Sequence, residues 1–200
     1  MARTNSTDSI PPFPPDLDRQ HFGHWLSGLT DGEGSFHLGT LTHRRKGRQT
    51  PAAAFTIGLR ADDLPILRLI QSFFRCGFIR YVSREDQRRR GKKVNDCAYW
   101  RVTRTLDLIA VIIPHFEAFP LRAKKVRDFR VWKDGIYLMH QCSRAPRVRV
   151  GPTNGQIWTP DRLRHFRSLA DALKAGRQYQ APPIDLPKPP PPPPEPGLFD

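Results

Sequence analysis

The chain has 200 residues, and its 33 Lys and Arg residues outnumber its 19 Asp and Glu residues, for a formal net charge of +14. This excess favours a polyanionic partner, either nucleic acid or anionic lipid. A membrane partner is not expected, because no segment approaches the roughly 20 consecutive apolar residues of a spanning helix. The amino terminus has no apolar run typical of a signal peptide. The three cysteines (Cys76, Cys97 and Cys142) are far apart and form neither a disulfide framework nor a zinc pattern. We therefore expect an intracellular protein, in the cytoplasm with the nucleoid or in an organelle, and not a secreted one.

Both ends of the chain differ in composition from its centre. Residues 1–16 are polar and contain prolines, which predicts a disordered tail. Residues 179–200 are dominated by proline, which favours polyproline II and cannot build a core. Between them we predict a main domain over 17–138 and a C-terminal helical extension over 139–178.

The first half of the main domain alternates helix and strand patterns. Asp16 is a possible N-cap for an apolar helix over 17–30. Strand-like alternation follows over 34–41 and 51–60, separated by a polar, basic loop that we interpret as a hairpin connection.

The second half repeats this order. The patterns predict a helix over 61–75, strands over 77–83 and 96–103, and helices over 106–116, 121–132 and 159–176. Thr159, Pro160 and Gly176 are the expected start and stop residues of the last helix. The order is αββαββα plus a C-terminal helix, which predicts an α+β domain whose antiparallel sheet has one face covered by helices.

The other face of this sheet is predicted to be polar and basic. Its residues are Ser35, His37, Thr56, Arg60, Arg80, Tyr99 and Arg101, with Arg44 and Arg45 in the hairpin loop. A two-stranded ribbon fits the major groove of B-DNA, where such side chains can contact base edges, while basic loops bind phosphates. The alternative is that any half-buried antiparallel sheet presents a polar face.

Two acids stand at the predicted end of the first helix. Asp31 and Glu33 face the partial negative charge of the helix terminus, which costs roughly 0.3–1 kcal/mol per acid. A divalent cation would make this placement favourable, and Mg²⁺ (or Mn²⁺) suits it because Mg²⁺ takes oxygen ligands from one or two carboxylates and from phosphate. Gly32 and Gly34 beside the acids allow a second backbone to approach closely.

The assembled string is specific. "LSGLTDGEGSF" (26–36), at the end of an apolar helix and leading into a strand, resembles the motif of the LAGLIDADG homing endonucleases, and the αββαββα order matches that family's core. "HFEAFPLRAKKVRDF" (115–129) is similar to the family segment that carries a lysine after "PL". The resemblance covers roughly residues 20–135.

The resemblance implies a homodimer, because family members with one motif pair through their motif helices. The implied interface residues are Leu26, Ser27, Gly28 and Leu29. It also implies a divalent-metal site with Glu33 as the main ligand and with Asp31 and the Gly32 carbonyl as further candidate ligands. Glu33 and Asp31 are also the implied catalytic acids, and Asp31 is more often structural in the family.

The resemblance further implies a catalytic lysine at Lys124, with Lys125 as its rival. One departure concerns the second strand, where some members have a polar residue near the metal and this chain has Leu59. Arg60, Asp62 and Asp63 are the candidate substitutes.

The function implied is a site-specific homing endonuclease. Its homodimer would bind a long, near-palindromic site in double-stranded DNA and hydrolyse one phosphodiester on each strand with a divalent metal. The alternatives are a maturase that acts on intron RNA with the same fold, and a DNA-binding regulator that does not cut.

Overall fold

We describe a computed structural model of the chain over residues 10–42, 49–144 and 158–176. Helix α1 (Arg19–Glu33) leads directly into strand β1 (Gly34–Thr42), and β2 (Gln49–Arg60) returns beside it. A single 3-10 turn connects β2 to helix α2 (Leu64–Phe74).

The second half begins with strand β3 (Phe78–Val82), the short helix α3 (Glu85–Arg89) and strand β4 (Cys97–Val102). Helix α4 (Thr105–Asp107) then continues through a π-helical turn (Leu108–Ile112) into α5 (Ile113–Ala118). Two further helices follow, α6 (Lys125–Arg144) and α7 (Pro160–Ala175). The predicted α+β class is therefore confirmed, and the elements follow the predicted order with one addition, the short helix α3 between β3 and β4.

The four strands form one antiparallel sheet in the order β1-β2-β4-β3. Because residues that are paired across strands share a face, the register places Phe36, Phe55 and Val102 in one row on the covered side. Ile57, Trp100 and Ile79 form the next row on that side.

The core lies between this covered face and the helices, and aromatic rings dominate it. Trp100 and Trp132 are fully buried, and each indole N–H donates to a backbone carbonyl, of Cys76 at 3.0 Å and of Ala54 at 3.2 Å. Burying an indole is favourable when its one donor is satisfied in this way. These two bonds connect the sheet to the α2–β3 turn and to α6.

Four predicted boundaries, at the two ends of α1 and the two ends of α6, were wrong. Helix α1 is capped by Asp18 rather than Asp16, because the Asp18 carboxylate accepts from the backbone N–H of His21 at 2.7 Å. The same helix continues to Glu33 instead of ending at residue 30. Helix α6 begins at Lys125 rather than 121 and runs on to Arg144, since its buried positions continue past the predicted end.

Part of the predicted N-terminal tail packs against the core. Residues 10–16 belong to the predicted disordered tail, yet Phe13 packs against Phe22 and Phe73 at ring-centroid distances of 5.1 and 5.3 Å, which corrects the prediction for that part. Residues 1–9 and the proline-rich tail over 179–200 lie outside the described residues.

The C-terminal helix is part of the core. Phe166, Ala170 and Leu173 of α7 are buried at helical spacing and join the same apolar cluster as the sheet. Thr159 accepts from the backbone N–H of Arg162, so the predicted start of this helix is confirmed. The predicted domain boundary between residues 138 and 139 falls inside α6.

No helix within the described ranges is both long enough and apolar enough to cross a membrane.

Candidate active site and nucleic-acid interface

Asp31 ties the end of α1 to the segment that precedes α6. One oxygen of its carboxylate, Oδ2, accepts from the backbone N–H groups of Arg122 at 2.8 Å and Ala123 at 3.1 Å. The other oxygen, Oδ1, is buried and has no hydrogen-bond partner in the described part of the chain. Leaving a buried acceptor without a hydrogen-bond partner costs free energy. This oxygen can therefore accept a donor or a cation supplied from outside the chain.

Lys125 holds the same helix end from a second direction. Its ammonium donates to the backbone carbonyls of Asp31 at 2.9 Å and Gly32 at 2.7 Å. A cation at a helix C-terminus satisfies carbonyls that have no partner within the helix and offsets the negative end of the helix dipole. The Gly32 carbonyl, predicted as a candidate metal ligand, is therefore engaged by an ammonium group.

The neighbouring lysine has a different position. Lys124, the predicted catalytic lysine, is exposed, whereas Lys125 is half-buried against the end of α1. The sequence could not separate the two, because both follow "PL" within the same short segment. The structure assigns the role of fastening the helix end to Lys125.

Glu33 is the last residue of α1 and is exposed. The next residue, Gly34, turns the chain into β1 so tightly that a Cβ there would lie 2.5 Å from Cγ2 of Thr30 and 2.7 Å from its carbonyl oxygen. This close approach explains the glycine. It also joins Glu33 to the first residue of the sheet, so the acid stands where the helix end meets β1.

A divalent ion fits this donor set only in part. Among the described residues, no group of three or more His, Cys, Asp or Glu side chains could hold a metal. One chain offers the exposed carboxylate of Glu33 and the unpartnered Oδ1 of Asp31. Such a set suits Mg²⁺, which commonly takes one or two carboxylates and completes its octahedron with phosphate oxygens and water.

The position predicted to carry a polar group near the metal offers none. Leu59 packs partly buried against the core. Two of its candidate substitutes engage each other, since the Arg60 guanidinium donates to both oxygens of Asp62 at 3.2 and 2.8 Å.

The predicted dimer interface divides between the two sides of α1. Leu26 is fully buried in its own core, and the Ser27 hydroxyl donates to the carbonyl of Phe119 at 2.7 Å. These two residues therefore do not offer surface to a second copy, which corrects that half of the prediction. Gly28 is exposed and Leu29 is half-buried.

Sequence reasoning missed one member of the exposed side. Trp25 is 45% exposed, an unusual state for so large an apolar ring, and it lies three residues before Gly28. With Gly28, Leu29 and Gly32 it follows the spacing of three and four residues that brings side chains onto one helical face. That spacing was the signal that could have found it. We call these four residues the outward face of α1.

The uncovered side of the sheet has the predicted composition. The register places Ser35, Thr56 and Arg101 in one row across three strands, and Tyr99 pairs with Arg80 in the next. His37 and Arg60 lie on the same side and are exposed. The sheet thus brings together all seven predicted strand residues, while Arg44 and Arg45 lie outside the described residues.

The sequence matches a known protein family over the region that contains this site. The family model described as LAGLIDADG endonuclease matches residues 26–136, which is more than half of the chain. This chain belongs to that family. The matched region begins within α1 and ends within α6, so it contains the acids, both lysines and the whole sheet.

Similar curated proteins come from fungi. The "Probable intron-encoded endonuclease 2" of Neurospora crassa is 34% identical over 118 residues, covering 58% of this chain and 24% of that protein. The "Uncharacterized 50.9 kDa protein in ND4 intron 1" of Podospora anserina is 29% identical over 119 residues, covering 58% of this chain and 24% of that protein. The chain thus matches only about a quarter of the length of these relatives.

Solved structures share the fold. The I-SmaMI LAGLIDADG homing endonuclease bound to cleaved DNA has a TM-score of 0.62 at 24% identity, covering 84% of this chain and 48% of that chain. The homing endonuclease I-TnaI has a TM-score of 0.57 at 23% identity, covering 80% of this chain and 96% of that one.

Proposed function

We propose that this chain is a DNA endonuclease that acts as a homodimer on a long, near-palindromic duplex site and requires a divalent metal. The observation that carries the proposal is the exposed Glu33 at the end of α1, fastened on both sides of the helix terminus by Asp31 and Lys125. An acid at a helix end that is held in this way, next to a basic sheet, is arranged to act on a bound polyanion.

The sheet supports double-stranded DNA as the partner. Its uncovered side carries Arg80, Arg101 and Arg60 together with hydroxyl and imidazole groups at regular strand spacing. Arg binds guanine edges in the major groove, and Ser, Thr and His provide further donors and acceptors there. The I-SmaMI homing endonuclease, whose solved structure is bound to cleaved DNA, shares this fold and supports DNA as the partner.

The outward face of α1 supports the homodimer. Its two glycines have open space around them, so a second helix can approach closely at Gly28 and Gly32. The chain carries one acidic motif. It covers about half of I-SmaMI but nearly all of I-TnaI, which fits a unit that must be doubled to form a complete enzyme. A symmetric pair would bring the two Glu33 residues towards a common axis.

Glu33 would hold the divalent ion, and Oδ1 of Asp31 is a second carboxylate oxygen near the same helix end. When bound, such an ion activates water and stabilises charge on the phosphate. Lys125 keeps the helix end, and therefore Glu33, in a fixed position. Lys124, exposed beside it, is proposed to stabilise negative charge on the scissile phosphate. The sheet holds the duplex in register, so that one bond on each strand is cut.

The test is cleavage of a library of intron-junction duplexes in Mg²⁺ by the wild-type protein, with and without EDTA. We expect double-strand cuts at one recurring near-palindromic site, lost in EDTA and lost in Glu33→Gln. Glu117→Gln is the matched control, since it removes the same charge from an exposed glutamate that pairs with Lys133. Equal cutting by Glu33→Gln and wild type would contradict the proposal.

Two other functions use the same surface. A maturase would bind intron RNA, and it would tolerate loss of Glu33 because splicing assistance does not need the metal ligand. A regulator would bind duplex DNA without cutting it. The buried, unpartnered oxygen of Asp31 beside an exposed Glu33 favours the endonuclease over both, because neither alternative requires a cation at that point.

A further inference from the structure

The connection between β3 and β4, residues 83–96, folds around one carboxylate. We call it the β3–β4 arm. Oδ1 of Asp96 accepts from the backbone N–H of Arg84 and from the Arg88 guanidinium, both at 2.6 Å. Oδ2 accepts from the hydroxyl of Tyr81, also at 2.6 Å. Asp96 is the last residue of the arm, directly before β4. Its carboxylate thus connects this point to the start of the arm, to the short helix α3 and to the edge strand β3.

These three bonds are strong ones. The Arg88 guanidinium, the Arg84 N–H and the Tyr81 hydroxyl together hold the pKa of Asp96 well below its usual range, and the carboxylate in turn raises the pKa of Tyr81. Charge-assisted hydrogen bonds of this length are about twice as strong as neutral ones. Asp96 therefore remains ionised and bonded throughout the pH range in which a protein meets DNA.

The remaining cations of the arm gather at its far end. Arg90, Lys92 and Lys93 are exposed, and they flank Gly91, whose φ of 78° forms a left-handed turn that other residues rarely adopt. Arg89 pairs with Glu85 at 2.5 Å, and Arg88 also donates to the carbonyl of Val94 at 3.4 Å.

The start of the arm contacts the uncovered side of the sheet. The Arg84 guanidinium reaches the hydroxyl of Tyr99 at 3.4 Å, and Tyr99 is the register partner of Arg80 on that side. The exposed cations belong to the same connection as Arg84, so they add positive charge next to this end of the sheet. Three cations spaced along an exposed turn match the charge pattern of a phosphate backbone.

We propose that Asp96 is a positioning residue that folds the β3–β4 arm into a preformed phosphate-binding surface, with Arg90, Lys92 and Lys93 as its contacts to duplex DNA. The inference rests on the proposed function for the identity of the polyanion. Its physical basis is that an arm already ordered before binding avoids the entropy cost of ordering that segment when DNA binds.

The test is the affinity of Asp96→Asn for a mixed-sequence duplex, measured in EDTA over a series of salt concentrations. The loss of an acidic charge alone should tighten DNA binding. The proposal requires the opposite sign: about tenfold weaker binding, and a log K against log salt slope smaller in magnitude by about 2, because each phosphate contact contributes about 0.9 to that slope. Glu85→Gln is the matched control, since it removes one acid from the same arm and leaves Asp96 bonded; its binding should equal or exceed that of wild type.

A second variant covers the case in which Asp96→Asn is poorly folded. Tyr81→Phe removes one of the three hydrogen bonds to Asp96 without a change of charge, and we expect about threefold weaker binding with the same direction of change in the salt slope. Amide hydrogen exchange of both variants should increase in the arm while the β2–β4 amides stay protected.

If wild type binds the duplex and Asp96→Asn binds it as tightly as Glu85→Gln does, the inference about Asp96 is overturned and the proposed function is not. Failure of the wild-type protein to bind the duplex would overturn the proposed function and the inference together.

Discussion

The two sides of α1 differ in what they contact. The inward side, with Gly23, Leu26, Ser27 and Thr30, is buried in its own chain, and a Cβ at Gly23 would lie 2.7 Å from the ring of Phe119. On the outward face, a Cβ at Gly28 or Gly32 would meet nothing within 4 Å. Because each exposed glycine costs a helix about 0.5–1 kcal/mol relative to alanine, the fold of one copy does not explain them. One side of the helix therefore stabilises the chain, and the other is available to a partner.

The largest effect is expected on the inward side. Leu26→Ala removes a fully buried side chain and should lower the free energy of unfolding by about 4 kcal/mol. Denaturant unfolding at a low protein concentration measures this loss. A loss below about 1 kcal/mol would show that Leu26 is not a core residue of the single chain.

The second prediction concerns His115, which lies among the rings of Phe73, Phe74, Phe116 and Phe119 beneath α1. Burial, with a smaller contribution from the charge of His24, lowers its pKa to about 4. The unfolded chain binds this proton near pH 6.5 and the folded chain resists it, so stability is complete above pH 6.5 and falls towards pH 4. The loss is about 3 kcal/mol, at 1.36 kcal/mol for each pH unit.

The measurement is urea unfolding from pH 7 to pH 4 for wild type and His115→Leu. The difference in unfolding free energy between them should change by about 3 kcal/mol over this range in favour of the variant. His21→Gln, at a histidine whose side chain is 89% exposed, is the control and should follow the wild-type profile. Parallel profiles for wild type and His115→Leu would contradict the assignment.

The third prediction concerns the junction between α1 and β1. Gly34→Ala forces its Cβ against the backbone carbonyl of Thr30, so the chain must shift, at a cost of about 2 kcal/mol in unfolding free energy. Because Glu33 is adjacent, cleavage should fall as well. Unchanged thermal unfolding of Gly34→Ala would show that the junction is less tight than described.

The smallest effect is expected on the outward face, and it has the opposite sign. Gly28→Ala should stabilise a single copy by about 0.5–1 kcal/mol through helix propensity. It should also weaken association of two copies, because the added methyl group separates the helices. Sedimentation equilibrium of wild type and variant checks the second effect. If Gly28→Ala associates more tightly than wild type, the outward face is not the dimer interface.

The sequence predicted the sheet well and the ends of the helices poorly. Alternation of Phe36 with Ser35 and His37 identifies both faces of β1, because a strand has only two sides. For α1, apolar spacing identified a helix but not which side a second copy would contact. The interface implied by the family resemblance therefore included Leu26 and Ser27, which are buried in their own chain. That side is decided by the position of α5, because the carbonyl of its C-cap residue Phe119 accepts a hydrogen bond from the Ser27 hydroxyl.

Hydrogen bonds between residues far apart in the sequence could not be predicted either. Asp31 and Lys125 are separated by 94 positions, and their hydrogen bonds depend on how α6 begins. The choice between Lys124 and Lys125 turns on a rotation of about 100° along one helix start, which composition cannot fix. Asp96 was not identified because its partners are Tyr81 of β3 and Arg84 and Arg88 of a basic connection, and composition does not show which residues a carboxylate contacts.

The most direct test of the central claim uses mixtures of wild-type and Glu33→Gln protein on a duplex that the wild type cuts, with each strand labelled separately. If each copy contributes one Glu33 to one strand, wild type alone should cut both strands, mixtures should accumulate nicked duplex, and Glu33→Gln alone should leave both strands intact while still binding. Double-strand cutting by Glu33→Gln alone would contradict the account.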